Sequence, residues 1–212
     1  MPYFRAALAA LPADTENRDN QRKRYCQYLG YSLTATGEYQ EAVSFFTQAY
    51  SDNNSTQRAR QSSSAAKADT LFLPMGPDDI ASYESWIYAL IQLGTDASQR
   101  GERARANSLW GRALAISQEV LNYKPQAGFF QLQGIALRLL GNYEGAIAAF
   151  QQSILTDSDQ RHLFSGYTNL AEVLYLTGNA KEAENALGKA LMVNPDEKSA
   201  VERLKKKYSP VP

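Results

Sequence analysis

The feature that most constrains this chain is a set of small and apolar residues that recurs at fixed spacing. A glycine is followed five residues later by an alanine, and four residues after that by a large apolar residue. Three copies carry this order: Gly37, Ala42 and Phe46; Gly141, Ala146 and Phe150; Gly178, Ala183 and Leu187. Self-similarity of this kind indicates a stack of repeated structural units rather than a single globular core.

Each unit is predicted to be a pair of helices joined by a turn. Before the glycine, apolar residues recur at helical spacing, as Leu29 and Leu33 do in the first copy. Glycine accepts the left-handed backbone conformation that ends a helix and reverses the chain. The alanine that follows is small enough for two helices to cross closely, and the large residue after it fills the space between them.

The pattern also has Tyr39 and Tyr143 two residues after their glycines, and Pro195 at the close of the last copy. In this form it resembles the tetratricopeptide repeat, a unit of about 34 residues. The resemblance implies an all-α fold, a right-handed α-solenoid of antiparallel helix pairs whose first helices line a concave groove. The clear copies are predicted at 23–56, 127–160 and 164–197.

A further copy is expected at 79–125 in an irregular form. Gly101, Ala106 and Trp110 keep the repeat spacing. The connection from Gly94 to Gly101 is expected to be longer than the turn of the other copies. The array is therefore predicted to hold four copies, of which the second is irregular.

The remaining segments are predicted to flank or join the copies. Residues 1–22 are expected to form an N-terminal half-repeat or capping helix, and residues 198–212 a polar capping helix with a tail. Residues 57–78 are expected to be a linker. Two interpretations stay open for this linker: a mobile connection, or a lid in which Leu71, Phe72 and Leu73 pack across the groove.

The composition argues against several classes of function. Lys and Arg number 22 and Asp and Glu number 22, and this balance does not favour a nucleic-acid partner. With one cysteine, Cys26, and one histidine, His162, no metal site is predicted. The sequence shows no phosphate-binding glycine loop, dinucleotide fingerprint or nucleophile elbow, so neither a catalytic residue nor a cofactor is expected. No apolar run approaches the ~18 residues of a membrane span, and a cytoplasmic location is expected.

The resemblance also implies which residues face the groove. In such repeats, certain positions of the first helix tend to point toward it. Carried over, with Asn169 beside them, they select Arg24, Gln27, Tyr31, Gln131, Arg138, Thr168, Asn169, Glu172 and Tyr175. Tyrosine and arginine are typical of protein interfaces. The Lys and Asn set with which some relatives clamp chaperone C-terminal carboxylates is missing, since only Asn169 resembles it.

These features favour a non-catalytic scaffold or adaptor that binds a peptide segment or a partner helix in the groove. Two alternatives stay open. One is a structural subunit that forms homo-oligomers through its terminal repeats, and the other is a sensor that binds a small molecule or lipid in the same groove. Light scattering tests the first alternative, and a thermal shift with a ligand library tests the second.

Overall fold

A computed structural model of the protein describes residues 2–11, 18–61, 77–158 and 160–208. Every regular element within these ranges is helical. The α-helices are α1 (Pro2–Ala9), α2 (Arg18–Thr36), α3 (Tyr39–Gln61), α4 (Pro77–Gln99), α5 (Arg103–Tyr123), α6 (Ala127–Leu139), α7 (Tyr143–Thr156), α8 (Leu163–Leu176), α9 (Ala180–Val193) and α10 (Lys198–Tyr208). A 3-10 turn, Pro195–Glu197, precedes α10. The prediction of an all-α repeat fold is confirmed.

The helices form two compact units, here named unit 1 (Met1–Val120) and unit 2 (Leu121–Pro212). In unit 1, α2 packs against α3, and both helices contact α4. In unit 2, α6 packs against α7, α7 against α8, and α8 against α9, while α10 contacts α8 and α9. In these pairs, helices that follow one another in the chain are neighbours in space, as expected for a repeat array.

The glycines of the repeat pattern end the first helix of each pair. The φ angles are 82°, 81°, 81° and 80° at Gly37, Gly101, Gly141 and Gly178. The Gly141 amide donates to the carbonyl of Arg138 at 3.0 Å, and the Asn142 amide to the carbonyl of Leu137 at 2.9 Å. This pair of bonds is a Schellman motif, which satisfies the last carbonyls of a helix and requires a residue that tolerates positive φ.

The second copy has no long connection. Because α4 continues to Gln99, the connection expected from Gly94 to Gly101 is wrong. Gly94 lies within the helix, where an added Cβ would stand 2.5 Å from Nε1 of Trp110. This glycine is therefore a close packing contact between α4 and α5 and not a helix end.

The same contact between a glycine and an aromatic ring occurs in two other copies. A Cβ at Gly30 would stand 2.8 Å from the Phe46 ring, and a Cβ at Gly134 would stand 2.6 Å from the Phe150 ring. Each pair, like Gly94 with Trp110, is separated by 16 positions. In its packing the second copy is thus regular.

Two helices extend beyond the predicted limits of the first copy. α2 begins at Arg18 and α3 continues to Gln61, whereas the spacing predicted a copy at 23–56. No glycine or proline occurs between Tyr50 and Gln61, so nothing in the sequence stops the second helix earlier. The lid proposed for Leu71, Phe72 and Leu73 lies outside the described residues.

The small residues of the repeat pattern lie in the cores of both units. The pattern alanines are at most 1% exposed: Ala42, Ala106, Ala146 and Ala183. Beside them, Phe46, Phe150 and Leu187 are fully buried, as their predicted role between the helices requires. In unit 2 the core also includes Val201, which attaches α10 to α8 and α9.

Candidate functional site

A cleft, the unit 1 cleft, opens between α2 and α4. It has a volume of about 390 Å³ and is lined by Arg24, Gln27, Tyr28, Tyr31, Ala81 and Ser82. Its α2 members recur at helical spacing, which places them along one face of that helix. The structure therefore brings together all three groove residues that were selected from the first copy, Arg24, Gln27 and Tyr31.

Tyr28 also belongs to this cleft, although the positions carried over from the repeat family did not select it. It lies four residues after Arg24 and three before Tyr31, and this spacing could have identified it. The side chain of Tyr28 is 47% exposed and that of Tyr31 is 59% exposed. The cleft thus presents two tyrosine rings to solvent.

Arg24 gives the cleft a positive charge. Its side chain is exposed and has no ion-pair partner among the residues that the structure describes. The preceding cation, Lys23, pairs instead with Asp79, with 2.6 Å between Nζ and Oδ1. One cation therefore stays available beside the two exposed rings.

A buried polar network fixes the floor of the cleft. The Nε2 group of Gln27 donates to the hydroxyl of Tyr50 and to Oδ1 of Asp79, each at 2.8 Å. The Tyr50 hydroxyl donates to the same carboxylate oxygen at 3.3 Å. Because buried polar groups are costly when unpaired, these bonds hold Gln27 in one orientation.

Tyr50 links this network to a cluster of aromatic rings. Its ring stacks on Trp86 at 5.4 Å between centroids and lies 4.7 Å from the ring of Tyr83. Burial raises the pKa of both Tyr50 and Tyr83 above the ordinary tyrosine value, because it disfavours the charged phenolate. The Arg112 guanidinium lies 5.0 Å from the Trp86 ring centroid, in a cation–π contact. Packed helices, and not a loop, therefore support the cleft.

In unit 2, three predicted groove residues, Arg138, Glu172 and Tyr175, contact each other or the end of α10. Glu172 lies 3.4 Å from Nη1 of Arg138, measured from Oε2. Its Oε1 accepts hydrogen bonds from Nζ of Lys207 and from the hydroxyl of Tyr208, each at 2.8 Å. The Tyr208 ring stacks on Tyr175, with 5.4 Å between centroids and 9° between planes. The last residues of α10 thus cover this face.

These contacts keep Glu172 ionised. Its partial burial alone would raise its pKa, but the hydrogen bond from Lys207 and the nearby charge of Arg138 outweigh burial and lower the pKa below the ordinary value. Conversely, the hydrogen bond to Glu172 raises the pKa of Lys207. Both shifts agree that Glu172 and Lys207 form an ion pair at neutral pH.

The other predicted groove residues of unit 2 have different surroundings. Gln131 donates through Nε2 to the carbonyl of His162 at 3.0 Å and so ties α6 to the start of α8. Thr168 donates to a carbonyl of its own helix at 3.0 Å. Asn169 is half-buried on α8. The polar groups of Gln131 and Thr168 are therefore engaged within the fold.

Neither a metal site nor a membrane span is found in the part of the chain that the structure describes. No group of three or more His, Cys, Asp or Glu side chains comes together there. None of the helices in that part is long and apolar enough to cross a bilayer.

The fold and these two faces define a class of protein. It is that of α-helical repeat proteins whose first helices carry residue types common in protein interfaces. Two models of the tetratricopeptide repeat family match the sequence, one at residues 86–126 and one at 137–208, and together they cover more than half of the chain. The chain is a tetratricopeptide repeat protein. Tetratricopeptide repeats in general form scaffolds for protein–protein interaction, and the family matches support this general role here.

A solved structure shares this fold. TTC0263, a thermophilic tetratricopeptide repeat protein of Thermus thermophilus, has a TM-score of 0.51 and 20% identity, over 88% of this chain and 97% of that one. A structure of MamA AMB-1 has a TM-score of 0.34 and 16% identity, over 87% of this chain and 98% of that one. No curated protein matches the sequence. At 20% identity, the likeness to TTC0263 shows the fold alone.

Proposed function

We propose that this chain is an adaptor that holds a peptide segment of a partner protein in the unit 1 cleft. The observation that supports this is the position of Arg24 beside the exposed rings of Tyr28 and Tyr31. Arginine and tyrosine are enriched among the residues that contribute most of the energy in protein interfaces. A cleft of about 390 Å³ suits one or two side chains of an extended segment.

The fixed floor favours such binding. Gln27 and Ser82 are buried lining residues, and the hydrogen bonds of Gln27 already hold its amide in place. A preformed site loses less conformational freedom on binding, which leaves more of the contact energy as affinity. The charge of Arg24 selects a segment that carries a carboxylate next to an apolar or aromatic side chain.

Affinity capture from native lysate with mass spectrometry tests this proposal. The wild-type chain is compared with the double variant Arg24→Glu/Tyr31→Ala, which changes two exposed residues and leaves the floor intact. Tyr123→Ala is the matched control, because Tyr123 is 63% exposed and lies outside the cleft. We expect a protein that the wild type and the control capture equally and that the double variant loses, with equal helicity by circular dichroism. Equal capture by all three chains would contradict the proposal.

The purified wild type and double variant also test the nature of the partner. A protein is expected rather than a nucleic acid, because the net charge is zero. An adaptor is expected to be monomeric in light scattering at high concentration. A homo-oligomer that Arg24→Glu/Tyr31→Ala dissociates would show instead that the cleft joins copies of this chain.

A further inference from the structure

The end of α10 contacts the face of unit 2 as a bound ligand would. This face, named the acceptor face, consists of Arg138, Glu172 and Tyr175. Lys207 provides a cation for the carboxylate at 2.8 Å, and Tyr208 provides both a stacked ring and a second hydrogen bond. Two adjacent residues of one segment thus satisfy both the charge and the aromatic surface of the acceptor face.

The contacting turn can separate from the rest of α10. Val201 is fully buried in the unit 2 core and anchors the helix. Lys207, in contrast, is 60% exposed and belongs to the last helical turn. The last turn of a helix frays easily, because its final carbonyls lack partners within the helix. Lys207 and Tyr208 can therefore leave the acceptor face while the anchor at Val201 stays in place.

When the end of α10 has left the acceptor face, the carboxylate of Glu172 lacks its closest cation. The Glu172 side chain is only 14% exposed, and Arg138 approaches its carboxylate no closer than 3.4 Å. The Nε group of Arg138 is itself buried without a hydrogen-bond partner among the described residues. A largely buried carboxylate whose one remaining cation lies at 3.4 Å favours the approach of a further positive group. An acidic or purely apolar segment would leave this charge uncompensated.

We propose that the acceptor face binds a partner segment that presents a lysine beside a tyrosine, and that Lys207 and Tyr208 occupy the face when the partner is absent. The occupant is defined by the chemistry that the chain itself supplies: an ammonium group for Glu172 and a ring for Tyr175. This surface is separate from the unit 1 cleft and selects the opposite charge. Partner binding at one surface therefore does not depend on the proposal for the other.

An NMR titration with a pentapeptide amide of sequence LKKKY, which is that of residues 204–208, tests this proposal. Three forms of the 212-residue chain are compared: the wild type, the open variant Lys207→Ala/Tyr208→Ala, and the open variant with Glu172→Gln added. Internal competition lowers apparent affinity by the fraction of molecules in which the site is free. We expect the open variant to bind about tenfold more tightly than the wild type, and Glu172→Gln to remove most of that affinity.

The controls separate this contact from non-specific charge attraction. Glu202 is an exposed carboxylate on α10, so Glu202→Gln in the open variant is expected to leave peptide binding unchanged. A peptide with glutamate and alanine in its last two positions is expected not to bind. If the open variant disturbs the packing of Val201, Tyr208→Ala alone replaces it, with a gain of about threefold expected.

Three results would overturn the proposal. The first is equal affinity of the peptide for the wild type and the open variant, and the second is binding that does not depend on Glu172. The third is a wild-type dimer that the open variant lacks, which would make a second copy of α10 the occupant. None of these outcomes bears on capture by the unit 1 cleft, since that assay changes only Arg24 and Tyr31.

Discussion

Unit 1 and unit 2 each place a carboxylate near the predicted binding face, but they use it differently. In unit 1, Asp79 is 7% exposed and accepts bonds from Gln27, Tyr50 and Lys23 in the floor of the cleft. In unit 2, Glu172 lies at the face itself, and its strongest contacts come from the end of α10. The first carboxylate is part of the scaffold, and the second is part of a surface.

This difference explains why one face is open and the other is covered. In unit 1 the acid and its cation neutralise each other below the surface, so Tyr28, Tyr31 and Arg24 face solvent without an internal partner for the arginine among the described residues. In unit 2 the Glu172 side chain, 14% exposed, lies at the face and pairs with Lys207 in the last turn of α10. The source of the cation, Lys23 of α2 or Lys207 of α10, thus distinguishes the open face from the covered one.

Removing the buried carboxylate of Asp79 should give the largest loss of stability among these predictions. Asp79→Ala leaves Lys23 and Gln27 without their shared acceptor, and the loss of one partner of a buried ion pair costs about 3–5 kcal/mol. Both tryptophans of the chain, Trp86 and Trp110, lie in unit 1, so tryptophan fluorescence in urea reports the unfolding of that unit.

The matched variant is Glu172→Ala in unit 2. Its nearest cation, Lys207, is 60% exposed, and its second cation, Arg138, lies at 3.4 Å. This change should therefore cost only about 1 kcal/mol and should leave the fluorescence transition of unit 1 in place. Equal losses for Asp79→Ala and Glu172→Ala, followed by circular dichroism, would contradict the distinction between a scaffold carboxylate and a surface carboxylate.

A methyl group at Gly94 should have the next largest effect. A Cβ there would stand 2.5 Å from Nε1 of Trp110, so Gly94→Ala forces the two helices apart and should cost about 1–3 kcal/mol. Gly111→Ala in α5 is the control, since nothing lies within 4 Å of its Cβ position, and it should stabilise the helix by about 0.5–1 kcal/mol. A neutral Gly94→Ala in the fluorescence assay would contradict the regular packing of the second copy.

Gly94 also shows where the fold could not be predicted correctly from the sequence. The glycines at the turns were predicted because helix ends need positive φ, and the structure has that conformation at Gly101. In the sequence, a glycine that lets an aromatic ring of the next helix pack closely cannot be told apart from a glycine that forms a turn. The signal that separates the two roles is an aromatic residue 16 positions later, such as Phe46 after Gly30.

The candidate sites were predictable only where they depend on local spacing. Arg24 and Tyr31 share one face of α2 because they lie seven residues apart, and the structure places both in the cleft. The contact between Glu172 and Tyr208 joins residues 36 positions apart. Helical periodicity carries no information about such a contact, because the path of the chain through α9 determines it.

Lowering the pH should weaken the contact between Glu172 and the last turn of α10. This is the smallest of the predicted effects. The pKa of Glu172 is lower in the folded chain than in the unfolded one, so its stabilising contribution is present above the ordinary glutamate value of about 4.3 and disappears as the pH falls through the folded value. Glu172→Gln should therefore speed amide hydrogen exchange in the last turn of α10 at neutral pH, by the equivalent of less than about 1 kcal/mol. Wild type and variant should converge at acidic pH.

Glu202→Gln is the control for this measurement, because Glu202 is 57% exposed on the same helix and lies 3.7 Å from Lys205. This exposed pair should contribute little, so the exchange rates of Glu202→Gln should match those of the wild type at every pH. Equal exchange rates of wild type and Glu172→Gln at neutral pH would mean that stacking of Tyr208 on Tyr175 holds the end of α10 and that the charge of Glu172 does not. In that case the acceptor face would select a ring, and the lysine beside it would be dispensable.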